Sequence, residues 1–158
     1  HSDARRGMTR GHKRPVSVLV VIHTTALDVL LLERAAHPGF WQSVTGSREG
    51  SETLAATARR EVQEETGIDP TSGLLLDWQM SNTFKIFSEW RHRYAPGVCH
   101  NVEHVFSLQL TERPLVITSP DEHRDWQWLP WREAAERCFS WSNRDAILML
   151  QKRCSFGT

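Results

Sequence analysis

Residues 46–68 constrain this chain more than any other stretch. Gly46 is followed after five residues by Glu52, and after seven more by Arg60-Glu61-Val62-Gln63-Glu64-Glu65-Thr66-Gly67-Ile68. As a helix over about residues 53–66, with Ser51 as its expected cap and Gly67 as a left-handed terminator, the segment sets Glu61 and Glu65 one turn apart with Glu64 beside them. Leu54 and Ala58 share that side of the helical wheel, so the carboxylates border the buried face. Like charges so spaced repel one another, and the C-terminal end of a helix disfavours anions further. Folding does not ask for this arrangement. A divalent cation does, because hard oxygen donors on a rigid element are what Mg²⁺ or Mn²⁺ binds.

Around this segment the chain alternates apolar runs with turns. Residues 15–22 and 29–32 read as strands buried on both faces, 35–40 as a loop, and 41–45 as a short strand feeding Gly46. Further strands are expected at 74–78, 83–87, 102–110, 115–118 and 125–129. Helices are expected at 131–139 and 142–152, the last capped by Ser142. Mixed strands with few helices make one α/β domain over 13–158, after a flexible N-terminal segment over 1–12. The chain's 158 residues suffice for a sizeable core. Its formal net charge of zero gives no global pull toward nucleic acid or an anionic membrane, so a phosphate ligand needs a local basic cluster. No apolar run approaches a membrane span, and Cys99, Cys138 and Cys154 lack metal-ligand spacing, so they read as reduced thiols in a cytoplasmic protein.

The pattern Gly46, Glu52, Arg60-Glu61-Val62-x-Glu64-Glu65-x-Gly67-Ile68 resembles the Nudix box at every fixed position. The resemblance implies a Nudix-type α/β/α sandwich with a mixed β-sheet, and metal-dependent hydrolysis of a phosphoanhydride. It implies Glu61 and Glu65 as metal ligands, with Glu64 a ligand or the group orienting the attacking water. Arg60 and Glu52 are expected to pair and hold helix and loop in register.

The box gives the reaction and leaves the substrate open. Val44-Thr45 before Gly46, Lys13-Arg14-Pro15, residues 91–97 and Ser140-Trp141-Ser142-Asn143-Arg144 together resemble the bacterial Nudix enzymes that cleave dihydroneopterin triphosphate to the monophosphate and pyrophosphate in folate synthesis. By that resemblance Lys13, Arg34, Thr45, Phe84, Lys85, Ile86, Phe87 and Ser140 contact substrate, and Glu122 completes the metal site, with Asp121 one residue of slip away. Lysine and arginine suit triphosphate oxygens, and an aromatic strand offers a flat surface to a pterin ring. The competing readings are core packing for Phe84 and Phe87 and a solvated turn for Arg91 to Arg93. Two rival functions stand beside this one: hydrolysis of ordinary or oxidised nucleoside triphosphates, and a Nudix-fold sensor without catalysis. The complete acid set argues against the sensor, and oligomeric state is not legible.

Overall fold

The protein's structure, a computed structural model, describes residues 12–156. Seven strands, β1 (Val16–Thr24), β2 (Asp28–Arg34), β3 (Trp41–Gln42), β4 (Val44–Ser47), β5 (Leu74–Lys85), β6 (His100–Leu110) and β7 (His123–Pro130), form one mixed sheet. Among the described residues three helices, α1 (Leu54–Thr66), α2 (Trp131–Arg137) and α3 (Trp141–Phe156), cover it. β1 is the centre: it runs parallel to β6 on one side, and antiparallel to β2 and β4 on the other.

Alternation along β1 divides the core. Val18, Val20 and Ile22 pack with Ala58 and Val62 of α1, while Leu19 and Val21 pack with Ala134 and Ala135 of α2 and Ala146, Ile147 and Leu150 of α3. This is the expected α/β/α sandwich, and it explains why the strand reads as a continuous apolar run. Among the described residues no helix is long and apolar enough to cross a membrane.

Several boundaries differ from the sequence expectation for local reasons. Thr53, not Ser51, caps α1: its hydroxyl accepts from the Ala56 amide at 3.1 Å while its backbone is extended. The strand feeding Gly46 is broken at Ser43, whose amide donates to Asn143 Oδ1 at 2.7 Å and whose hydroxyl accepts from Asn143 Nδ2 at 2.9 Å. The two strands expected over 74–87 are one strand, β5, with a register shift between Asp77 and Ser81 where Gln79 takes a left-handed φ of 55°. Residues 115–118 form no strand, because the Ile117 amide donates to the last-turn carbonyl of Thr66 rather than to a ladder. Ser140, not Ser142, caps α3, accepting from the Asn143 amide at 3.2 Å. Gly67 ends α1 as expected, at φ 72°. The N-terminal segment expected over 1–12 lies outside the described residues except for His12, and so does the side chain of Cys154.

Candidate active site

The box builds two different constructions on one helix. On the solvent side, Arg60 is a hub. Its Nε donates to Glu52 Oε2 at 2.7 Å, and its Nη2 donates to Glu52 Oε1 at 3.0 Å and to the Ser47 carbonyl at 2.9 Å. Nη1 donates to Glu61 Oε2 at 3.2 Å and Glu64 Oε1 at 3.3 Å. Glu52 also accepts from the Glu49 amide and the Thr57 hydroxyl. The Arg60 fork, the Glu49 amide and Thr57 hold the Glu52 carboxyl down at about 2. The expected Arg60–Glu52 pair therefore exists and ties loop to helix.

On the inward side the carboxylates are less well met, Glu61 sharing one Arg60 nitrogen with Glu64 and Glu65 receiving none. Glu65 is 5% exposed and its Oε1 has no hydrogen-bond partner. Burial first, then the charge of Glu61, pushes its carboxyl well up. Burial also raises Glu61. Gly46 lies in β4 opposite Val18, and a side chain there would displace the Glu61 carboxylate from its present place.

These acids open onto a cavity of about 1180 Å³. Its walls include Lys13, Arg34, Gln42, Thr45, Glu61, Glu65, Arg93, Asp121, Glu122 and His123. The β2–β7 register sets His123 opposite Arg34, and the Glu122 carbonyl accepts from the Ala35 amide at 2.9 Å. The 120s loop is thereby brought over the helix acids. Glu122 itself adds to the repulsion felt by Glu65. His123 Nε2 lies 3.8 Å from Glu65 Oε1, but burial, with Arg34 nearby, drives the imidazole down to about 4. At neutral pH this contact is therefore no ion pair.

The Lys13 amide donates to the Arg93 carbonyl at 2.6 Å, bringing the 3-10 turn Ser88–Arg93 to the cavity rim. Burial lowers the Lys13 ammonium and the Arg34 guanidinium, and Arg93 lowers both further. A polyanion would relieve that repulsion.

Lys13, Arg34 and Thr45 thus stand together with Glu61, Glu65 and Glu122. Glu64 does not line the cavity; its side chain is 48% exposed on the Arg60 side. Phe84, Lys85, Ile86, Phe87 and Ser140 lie elsewhere. Phe84 meets Trp141 with ring centroids 5.4 Å apart, Ser140 stands at the start of α3, Ile86 is buried, and Lys85 and Phe87 are exposed. Gln42, Arg48, Glu49 and His123 also line the cavity but were not singled out as site residues from sequence. Arg48 and Glu49 could have been, since they lie inside the box loop.

Among the described residues, no three His, Cys, Asp or Glu side chains already stand close enough together to hold an ion. The donor chemistry nevertheless fits a hard cation: two crowded carboxylates on a rigid helix, one oxygen orphaned, and a third acid on the facing loop.

A carboxylate-bearing helix on an α/β/α sandwich, opening onto a cavity lined by both acids and cations, is the arrangement of hydrolases that use divalent metal ions on small phosphate substrates. The chain belongs to the Nudix family: the NUDIX domain model matches residues 13–150. It is 50% identical over 140 residues to the dihydroneopterin triphosphate diphosphatase of Escherichia coli K12, covering 86% of this chain and 91% of that one. It is 39% identical over 149 residues to the enzyme of the same name from Haemophilus influenzae, covering 92% and 93%. The solved structure of the E. coli dihydroneopterin triphosphate pyrophosphohydrolase matches with a TM-score of 0.78 at 47% identity, over 86% of this chain and 94% of that one.

Proposed function

We propose that this protein is a cytoplasmic Mg²⁺-dependent pyrophosphohydrolase that converts dihydroneopterin triphosphate to the monophosphate and pyrophosphate, a step of folate synthesis. The observation that carries the reading is one cavity holding both the crowded acids Glu61 and Glu65 of α1, the latter with an unpartnered oxygen, and the cations Lys13, Arg34 and Arg93. The relatives that share 50% and 39% identity over nearly their whole lengths bear the name of that activity.

Glu61 and Glu65 from the helix and Glu122 from the facing loop would hold the metal. Held there, a divalent ion would lower the pKa of the attacking water and offset charge developing on the leaving phosphate oxygens. Lys13, Arg34 and Arg93 bind the terminal phosphates, fixing which anhydride lies over the acids. Thr45, on the edge of β4 beside Gly46, offers a hydroxyl to the same chain. Arg60 keeps helix and loop in register, so Glu61 cannot swing away. Glu64, which shares Arg60 with Glu61, acts either as a further ligand or as the group orienting the water.

The test is product analysis at early times with dihydroneopterin triphosphate and, in parallel, the common nucleoside triphosphates. Pyrophosphate and monophosphate from the pterin, at a kcat/KM above those of the nucleotides, is the expected outcome. Initial release of orthophosphate, or preference for a nucleotide, refutes the substrate assignment.

A further inference from the structure

Two strands away in the same sheet stands a carboxylate that the metal site does not use. Glu103 lies on β6, in register with Ser17 of β1, on the face covered by α3. Its Oε1 accepts from the Ser142 hydroxyl at 2.9 Å. Ser142 in turn lies 3.1 Å from the Ser140 hydroxyl. Two residues earlier on the same face, Asn101 donates through Nδ2 to Ser17 Oγ at 2.9 Å, while its Oδ1 is buried with no partner. Phe84 faces Asn101 across the β5–β6 ladder and, with the exposed ring of Trp141, forms an aromatic wall beside the pair.

Glu103 does not cap α3, because Ser140 already receives the amide at the helix start. Among the described residues it has no basic partner either. Its one described hydrogen bond comes from a neutral hydroxyl, and burial holds its carboxyl above the usual range. This cluster therefore offers a carboxylate and an amide oxygen that lack a cationic partner among the described residues. A half-buried carboxylate beside an aromatic wall matches a flat heterocycle presenting two parallel N–H groups.

The cluster is also within reach of the cavity. Ser17 pairs with Ser47, which lines the cavity, on one side, and with Glu103 on the other. Glu103 thus lies two strands from the cavity wall, roughly 10 Å. A ring tethered by a short carbon chain to a triphosphate spans that distance.

We propose that Glu103 is the specificity-determining residue of the site, its carboxylate accepting the ring N–H and exocyclic amino group of a 2-amino-4-oxopyrimidine edge. Asn101 is a positioning residue that fixes the floor, and Phe84 and Trp141 supply the apolar wall. The inference rests on the proposed pterin reading, but it names a chemical edge that pterin and guanine share.

The test is calorimetric binding of GMP and IMP to wild type and Glu103→Gln. IMP lacks only the exocyclic amino group, and neither contains an anhydride to hydrolyse. Wild type is expected to bind GMP roughly 10- to 100-fold more tightly than IMP. In Glu103→Gln the ratio falls close to one, and KM for dihydroneopterin triphosphate rises more than kcat changes. Equal binding of GMP and IMP by wild type overturns the inference, whether or not the variant folds. Discrimination between GMP and IMP through Glu103 in a protein that ignores dihydroneopterin triphosphate keeps the inference and refutes the substrate. Turnover of dihydroneopterin triphosphate with an unchanged KM in Glu103→Gln does the reverse.

Discussion

Glu52 and Glu65 belong to one loop-and-helix unit, yet the fold treats them in opposite ways. Glu52 is met by two guanidinium nitrogens, an amide and a hydroxyl, and its carboxyl sits at about 2. Glu65 is more deeply buried, keeps an oxygen without a partner, and faces Glu61, so its carboxyl is pushed up. A satisfied carboxylate stabilises the frame. A buried, unsatisfied one costs stability, and that cost is retained where a ligand will offset it. The contrast separates structural from functional acids in a motif where all look alike in sequence.

The largest effect should come from the unsatisfied side. Glu65→Gln or Glu61→Gln removes a charged ligand with little change of shape, and kcat with saturating Mg²⁺ should fall on the order of a thousandfold. Thermal stability in chelator should hold or rise, since mutual repulsion is relieved. Near-normal turnover in both variants would break the comparison. The satisfied side should respond in the other currency. Arg60→Met strips donors from Glu52 and the Ser47 carbonyl, and should lower unfolding free energy by about 2–3 kcal/mol in a denaturant titration. If Arg60→Met is as stable as wild type, Glu52 is not the structural acid described here.

The helix acids were legible because their spacing is local: one turn of helix carries the whole signal. The Arg60–Glu52 pair followed from the same segment. What was lost depends on neighbours far along the chain. Glu103 reads as an ordinary polar position in a strand until Ser142 is placed against it. Ser51 and Thr53 are equally good caps by composition, and only the backbone turn chooses between them. Residues 115–118 look like a strand, but the partner that reaches Ile117 is the end of α1. The bulge at Gln79 carried no glycine or asparagine to announce it, although Asp77 Oδ1 accepts from the Gln79 amide at 2.8 Å and supports the turn.

Glu122 tests whether an acid from a different element joins the unsatisfied group. It and Asp121 both reach the cavity, and only their relation to the helix acids distinguishes them. Glu122 is the one that acts on Glu65. Glu122→Gln should raise the Mg²⁺ concentration for half-maximal rate roughly tenfold, while Asp121→Asn leaves it near the wild-type value. A shift confined to Asp121→Asn moves the ligand by one residue, and no shift in either leaves the metal to α1 alone.

The smallest effect is the pH dependence of stability measured in chelator, where the two classes of acid should pull in opposite directions. Glu61 and Glu65 have raised carboxyl pKa values in the folded protein, so the fold takes up protons more readily than the unfolded chain there. Lowering the pH from neutrality therefore relieves these two acids, against the loss from buried His123, whose folded value of about 4 lies below the ordinary 6.5. Glu52 has the reverse sign: its folded value of about 2 lies below the ordinary 4.5, so its contribution is present above 4.5 and is lost as pH falls toward 2. Melting temperature of wild type should therefore gain on that of Glu65→Gln as pH is lowered from neutrality, and Glu52→Gln should weaken the decline at lower pH while lowering the whole curve. A monotonic fall from pH 7 downward, unchanged by Glu65→Gln, would show that the helix acids are not held in the unfavourable state that marks them as ligands.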